Sequence, residues 1–128
     1  MKEPHWLTRE ECLALHEFML SEYGGITGVR DEHLLDSALA RPQQLLAYGK
    51  PNMADMAAAY AAGIVKNLPF LDGNKRTGFM LGAGFLEQNG FEFRAAEAEA
   101  ALRTLALAAG EMSEKAYAAW LKANSKRV

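Results

Sequence analysis

An all-α domain of about six helices, with at most a very short β element, is the fold class this sequence predicts. Half of the 128 residues are hydrophobic and Ala is abundant, a composition suited to closely packed helices. Apolar residues recur at helical spacing in successive windows, and the windows are bounded by capping residues, Gly-Gly, Asn-Gly or Pro. Only Phe91-Glu92-Phe93 alternates as a strand does.

The first helix opens at Thr8, where Thr8-Arg9-Glu10-Glu11 fits a capping box, and runs through Leu13, Phe18 and Leu20 to Gly24-Gly25. Ile26 to Arg30, with Gly28 inside, reads as a loop or short extended piece. Asp31 caps a second helix through Leu34, Leu35, Ala38 and Leu39, expected to stop before Pro42. Gln43 to Lys50 adds at most a further turn or two. Met53 to Asn67 is a strong Ala-rich helix with Met56, Tyr60, Ile64 and Val65 on its apolar stripe, broken by Pro69. Asn74 to Gln88 follows, apolar almost all round, and is expected at the centre of the core; Asn89-Gly90 ends it. Ala95 to Ala109 is helical, and Ser113 caps a last helix containing Tyr117, Trp120 and Leu121. Trp6 and Trp120 are expected to close the core at the two termini. The basic tail from Lys122 to Val128 is expected to fray.

The length fits one domain spanning 1–128, with no linker, repeat or low-complexity tract. No apolar run reaches the roughly 18 residues a membrane span needs, and no leader pattern opens the chain. A net charge of −2 gives no general pull toward nucleic acid or acidic membranes. The single Cys12 cannot form an internal disulfide and reads as an inert packed thiol, so a cytoplasmic location is expected.

Chemistry concentrates in Leu68-Pro69-Phe70-Leu71-Asp72-Gly73-Asn74-Lys75-Arg76-Thr77. A helix N-terminus carries about four unpaired N–H groups and roughly half a positive charge. Placed after Gly73, those groups can approach an anion closely, and Lys75 and Arg76 add donors and charge. Asn74 fixes the loop or touches phosphate. Asp72 makes sense among these cations if it holds Mg²⁺ against phosphates. The set suits positioning and charge stabilisation in phosphoryl transfer, and it is not a Walker loop. The plainer reading of the same residues is a capped helix with a turn and two solvated cations.

The order of the residues resembles the signature of the Fic/Doc family, His-Pro-Phe-x-Asp-(Gly/Ala)-Asn-(Gly/Lys)-Arg, at every fixed position except the first. Tyr23-Gly24-Gly25, Gly28-Val29-Arg30-Asp31, Leu34-Leu35, Ser37-Ala38-Leu39, Arg41-Pro42-Gln43, Asn67, Phe85-Leu86 and Asn89-Gly90 also look like its death-on-curing (Doc) branch. The similarity runs from about residue 6 to about residue 121. The resemblance implies a toxin of a toxin–antitoxin pair, a protein kinase that transfers the γ-phosphate of ATP, with Mg²⁺, to a threonine of elongation factor Tu. It also implies a small antitoxin whose tail folds as a helix into a groove, which the sequence does not locate. AMP-transferring members have a second Gly after the Asn and a second Arg three residues past the first. Here those positions hold Lys75 and Phe79, so AMP transfer is the rival chemistry.

Position by position, Asp72 matches the residue associated with Mg²⁺, while Gly73, Asn74, Lys75 and Arg76 match the phosphate cradle and Phe70 an aromatic anchor. Met80 stands where some relatives carry a polar Asn. Leu68 occupies the place of the catalytic His. Leu has no lone pair, and general acid–base catalysis contributes roughly 10²–10⁴-fold, so transfer by this chain is expected to be crippled. An introduced or selected inactivating change, a natural pseudoenzyme that binds antitoxin or nucleotide, and rescue by His5, His16 or His33 are the competing explanations. The Gly24–Arg30 loop is a candidate flap for aligning the target. For Arg30-Asp31 and Arg41 the preferred readings are a cap and a solvated charge.

Overall fold

Short polar signals start most of the helices. Thr8 accepts from the Glu11 amide while the Glu11 carboxylate accepts from the Thr8 amide, a reciprocal box opening α1 (Arg9–Tyr23). Asp31 caps α2 (Glu32–Tyr48) by accepting from Leu34 N–H. Asn52 and Asp55 form a second box at α3 (Met53–Asn67), which the sequence reading had not singled out. Gly73 precedes α4 (Asn74–Gln88), and Ser113 caps α6 (Glu114–Ala123) after α5 (Glu97–Ala109). The computed structural model describes residues 3–128, and the expected all-α architecture with six helices holds among them.

Four expectations need correction. The helix after Asp31 does not stop at Pro42: α2 continues to Tyr48 with Pro42 inside it. A mid-helix Pro forfeits one backbone bond at a cost of about 3 kcal/mol. Here the buried ring and its neighbour offset that cost. Arg41 donates from Nη1 to the Ala59 carbonyl (2.8 Å) and from Nη2 to Glu114 (2.6 Å), fastening α2 to α3 and α6. Arg41 is therefore a half-buried tie and not a solvated charge.

The basic tail does not fray either. Ser125–Arg127 forms β2, antiparallel to β1 (Phe91–Phe93), with Phe91 opposite Arg127 and Phe93 opposite Ser125. The Arg127 guanidinium lies 4.7 Å from the Phe91 ring centroid, so the cation covers an aromatic face.

The centre of the core is α3 and not α4. Every residue of α3 from Met56 to Val65 is buried, and α2, α4, α5 and α6 all pack on it. Its alanines let neighbours come close. Gly78 and Gly82 of α4 are the points of contact: a Cβ on Gly82 would sit 2.9 Å from the Ala57 carbonyl oxygen, and one on Gly78 would sit 2.7 Å from Val65 Cγ1. At the other side of α3, a Cβ on Gly63 would lie 2.9 Å from Ala38 Cβ of α2. Trp6 stacks near Phe85 at 5.9 Å, and Trp120 joins Phe93, Tyr117 and Phe79 in an aromatic cluster.

The glycines of α4 give a signed prediction. Gly82→Ala gains helix propensity of about 1 kcal/mol but forces a methyl against backbone that cannot swing away, an overpacking of about 1–3 kcal/mol. Gly84, two residues on, has open space around its Cβ position. Urea melts should show Gly82→Ala less stable and Gly84→Ala more stable than the unsubstituted protein.

Candidate functional site

Residue 68 sits on a strained piece of backbone. Leu68 caps the C-terminus of α3 in the left-handed region (φ 53°, ψ 53°), the one non-glycine there with positive φ among the described residues. That conformation costs an L-residue roughly 1–2 kcal/mol. Its amide still bonds back to Ile64 O at 3.0 Å. The side chain, 45% exposed, lines an open hollow of about 550 Å³ together with Val65, Lys66, Lys75, Leu105 and Ala108.

The connection between α1 and α2 holds that strain in place. Arg30 donates from Nε to Leu68 O (2.7 Å) and from Nη2 to Asn67 O (2.9 Å), setting a cation on the carbonyl end of α3. The amides of Arg30 and Asp31 both donate to Pro69 O, and Leu71 N–H donates to Gly28 O. Val29 and Phe70 form an isolated antiparallel bridge. Arg30, though exposed, is thus a clamp on the end of α3 and the first residue of the motif.

The loop then turns on itself. Asn74 accepts from Phe70 N–H with Oδ1 and donates from Nδ2 to Phe70 O, both at 3.0 Å, so its side chain is spent on the loop. Phe70 is buried and stacks on His16, ring centroids 3.8 Å apart and planes 9° apart. His16 Nε2 lies 2.8 Å from the Asp72 carbonyl oxygen, which makes it the donor. The Asp72 carboxylate accepts from Gly73 N–H through Oδ1 (2.9 Å) and from Ile26 N–H through Oδ2 (3.1 Å). Only glycine fits opposite: Gly25 has φ 131°, and a Cβ there would stand 2.8 Å from Asp72 Oδ2.

Gly73 enters α4 in the left-handed region without a side-chain cap, leaving the first-turn amides free of side-chain partners. Lys75 and Arg76 are exposed in that same turn. The Arg76 guanidinium rests 4.3 Å from the centroid of the Tyr23 ring, which orders it at the edge of the site. Uncapped amides, a helix dipole and two cations together make a surface suited to an anion.

No group of three or more His, Cys, Asp or Glu side chains that could hold a metal occurs among the described residues. Asp72 supplies one carboxylate, each of whose oxygens takes a single backbone N–H and retains a lone pair. That donor set fits Mg²⁺, which habitually takes one or two carboxylates and completes its shell with water and phosphate oxygens. Leu68, Asp72, Gly73, Asn74, Lys75 and Arg76 all lie on this one loop and helix start. His5 is elsewhere, its amide bonded to Asn89 and its ring 3.8 Å from Glu11. His33 is exposed at the start of α2, and Met80 is half-buried on α4. Burial pushes the Cys12 thiol up to about 12, so it is a packed thiol.

The sequence reading weighed His16 only as a substitute base and Ile26 only as part of a candidate flap, and gave Tyr23 no role at the site. For His16 a signal existed: it shares the inward stripe Cys12–His16–Met19 of α1, the spacing of a buried helix face. The particular contacts of Tyr23 and Ile26, with Arg76 and Asp72, reach across the chain and carry no local signal.

Three similarities bear on this geometry. The family model for the Fic/DOC family matches residues 6–86, which takes in α1, the 24–31 connection and the whole motif loop. The chain is 31% identical over 117 residues to the "Protein kinase doc" of Escherichia phage P1, covering 91% of this chain and 92% of that one. It is 39% identical over 93 residues to a "Toxin Doc" of Mycolicibacterium smegmatis, covering 70% of this chain and 68% of the relative. With the motif carried on an uncapped helix start and the match spanning more than half its length, the chain belongs to the Fic/DOC family.

Proposed function

We propose that this protein is a Doc-type toxin whose site binds ATP with Mg²⁺ and is built to pass the γ-phosphate to a threonine hydroxyl of elongation factor Tu. The observation that carries the reading is the uncapped start of α4 with Asp72, Lys75 and Arg76 around it. One curated relative is named a protein kinase and the other a toxin, which supports the assignment. A toxin of this kind is paired with a small antitoxin.

In the transfer, the hydroxyl oxygen forms a bond to the γ-phosphorus while the bond to the bridging oxygen of ADP breaks. Lys75, Arg76 and the amides of the first turn of α4 bear the negative charge on the phosphate oxygens. Asp72 holds Mg²⁺, which when bound neutralises phosphate charge. The hydroxyl proton must leave to a base, and the side chain at position 68 stands where that base belongs. Leu68 cannot take it.

Phe79 favours phosphoryl over AMP transfer. At the position where AMP-transferring members carry a second Arg, its ring packs against Phe93 (5.9 Å) and Trp120 (6.4 Å), inside an aromatic cluster.

A second reading rests on Leu68 itself: a protein that binds nucleotide and antitoxin without transfer. The strained backbone at 68 favours a site kept for function, since such strain persists where surrounding contacts over-determine it. His also tolerates the left-handed region better than most residues. Rescue by His16 is not supported, because its Nε2 is committed to the Asp72 carbonyl.

Leu68→His should raise transfer by about 10²–10⁴-fold, seen by intact mass as one phosphate on elongation factor Tu after incubation with ATP and Mg²⁺. An added AMP would replace the kinase reading with AMP transfer, and no addition with either protein would leave the binding protein. Arg76→Ala should weaken ATP binding by about 10–100-fold, the worth of a charge-assisted bond to phosphate, measured by calorimetry with the fold checked by circular dichroism.

A further inference from the structure

The buried imidazole of His16 belongs to no step of the transfer, yet it touches the motif at two points. It is 3% exposed, lies flat on Phe70, and donates from Nε2 to the Asp72 carbonyl at 2.8 Å. The Cβ position of Gly73 is 3.7 Å from the same Nε2, so the ring also backs the turn.

A peptide unit is planar and trans, so its C=O and N–H point opposite ways. Fixing the Asp72 carbonyl toward His16 therefore aims the Gly73 N–H away from the core. That N–H donates to Asp72 Oδ1 at 2.9 Å. The carboxylate is thus held on its Oδ1 side through this peptide plane, from the interior outward, and on its Oδ2 side by the Ile26 amide at 3.1 Å.

We propose that His16 is a positioning residue: by holding the Asp72–Gly73 peptide plane from below, it orients the Asp72 carboxylate for the divalent cation that accompanies ATP. The role rests on the nucleotide-binding reading above. It differs from a packing role in where it acts, because stacking on Phe70 supports the whole loop, whereas the Nε2–H bond reaches only the plane that carries the carboxylate. Ligand-orienting partners of this kind change metal affinity by about 10–100-fold when removed.

The test measures ATP affinity of the full chain by calorimetry, with Mg²⁺ and with EDTA. His16→Phe keeps a stacking ring and removes the donor; His16→Gln keeps a donor and removes the ring. His16→Phe should lose about tenfold or more in affinity with Mg²⁺, hold its affinity in EDTA, and His16→Gln should recover most of the loss. An unchanged Mg²⁺-dependent affinity in His16→Phe overturns the role, as does an equal loss with and without Mg²⁺. On the unsubstituted protein, ¹⁵N spectra of the imidazole should show the Nε2–H tautomer; a ring protonated only on Nδ1 overturns the role independently of any variant. If the unsubstituted protein binds no ATP under either condition, the nucleotide reading falls and the role falls with it.

Discussion

The start of α4 is held in place because the glycines of α4 let it press closely against α3. Gly78 and Gly82, one helical turn apart, meet the Ala57–Val65 surface of α3, where added methyls would collide with backbone or Val65. Close-packed interiors tolerate little displacement, so this contact fixes the helix in rotation and along its axis. The motif loop bridges the end of one of these helices and the start of the other. Its two anchors are therefore members of the same rigid pair; α2, α5 and α6 gather on α3, and α1 packs on α4.

Within that frame, most of the motif's polar groups work on the backbone. Asn74 is consumed by Phe70, Arg30 by the carbonyls of 67 and 68, and both oxygens of Asp72 already accept an amide. Lys75 and Arg76 are left on the outside with no side-chain hydrogen bond among the described residues, beside the exposed Asp72. Such a division suits a site that acts by charge and position, since donors fixed in advance need no reorganisation when a polyphosphate arrives.

Much of this was legible in the sequence. Caps at Thr8, Asp31 and Ser113, the stop at Gly24-Gly25 and the break at Pro69 are local chemistry, and they mark real boundaries. The ten residues of the motif stay together in the fold, because residues adjacent in the chain remain adjacent around one turn. What escaped depends on distant partners. Pro42 reads as a stop until Arg41 is seen bonded to Ala59 and Glu114. The tail from Ser125 reads as frayed until Phe91–Phe93 supplies its strand partner. Arg30 reads as a free cation until the end of α3 arrives beneath it. The central place of α3 was hidden because alanines score as weakly hydrophobic while allowing the closest approach.

Asp72 joins two things that look separate. Its Oδ2 secures the Ile26 amide of the α1–α2 connection, and the same carboxylate is the one oxygen donor the motif offers to a cation. Thermodynamic linkage makes such sharing reciprocal: whatever a cation gains or loses by how the connection sits, the connection gains or loses by the same free energy when the cation binds. The segment framing the entrance and the charge at its floor thus form one coupled equilibrium. A protein docking against Gly24–Arg30 would thereby bear on any cation held at that carboxylate without touching it.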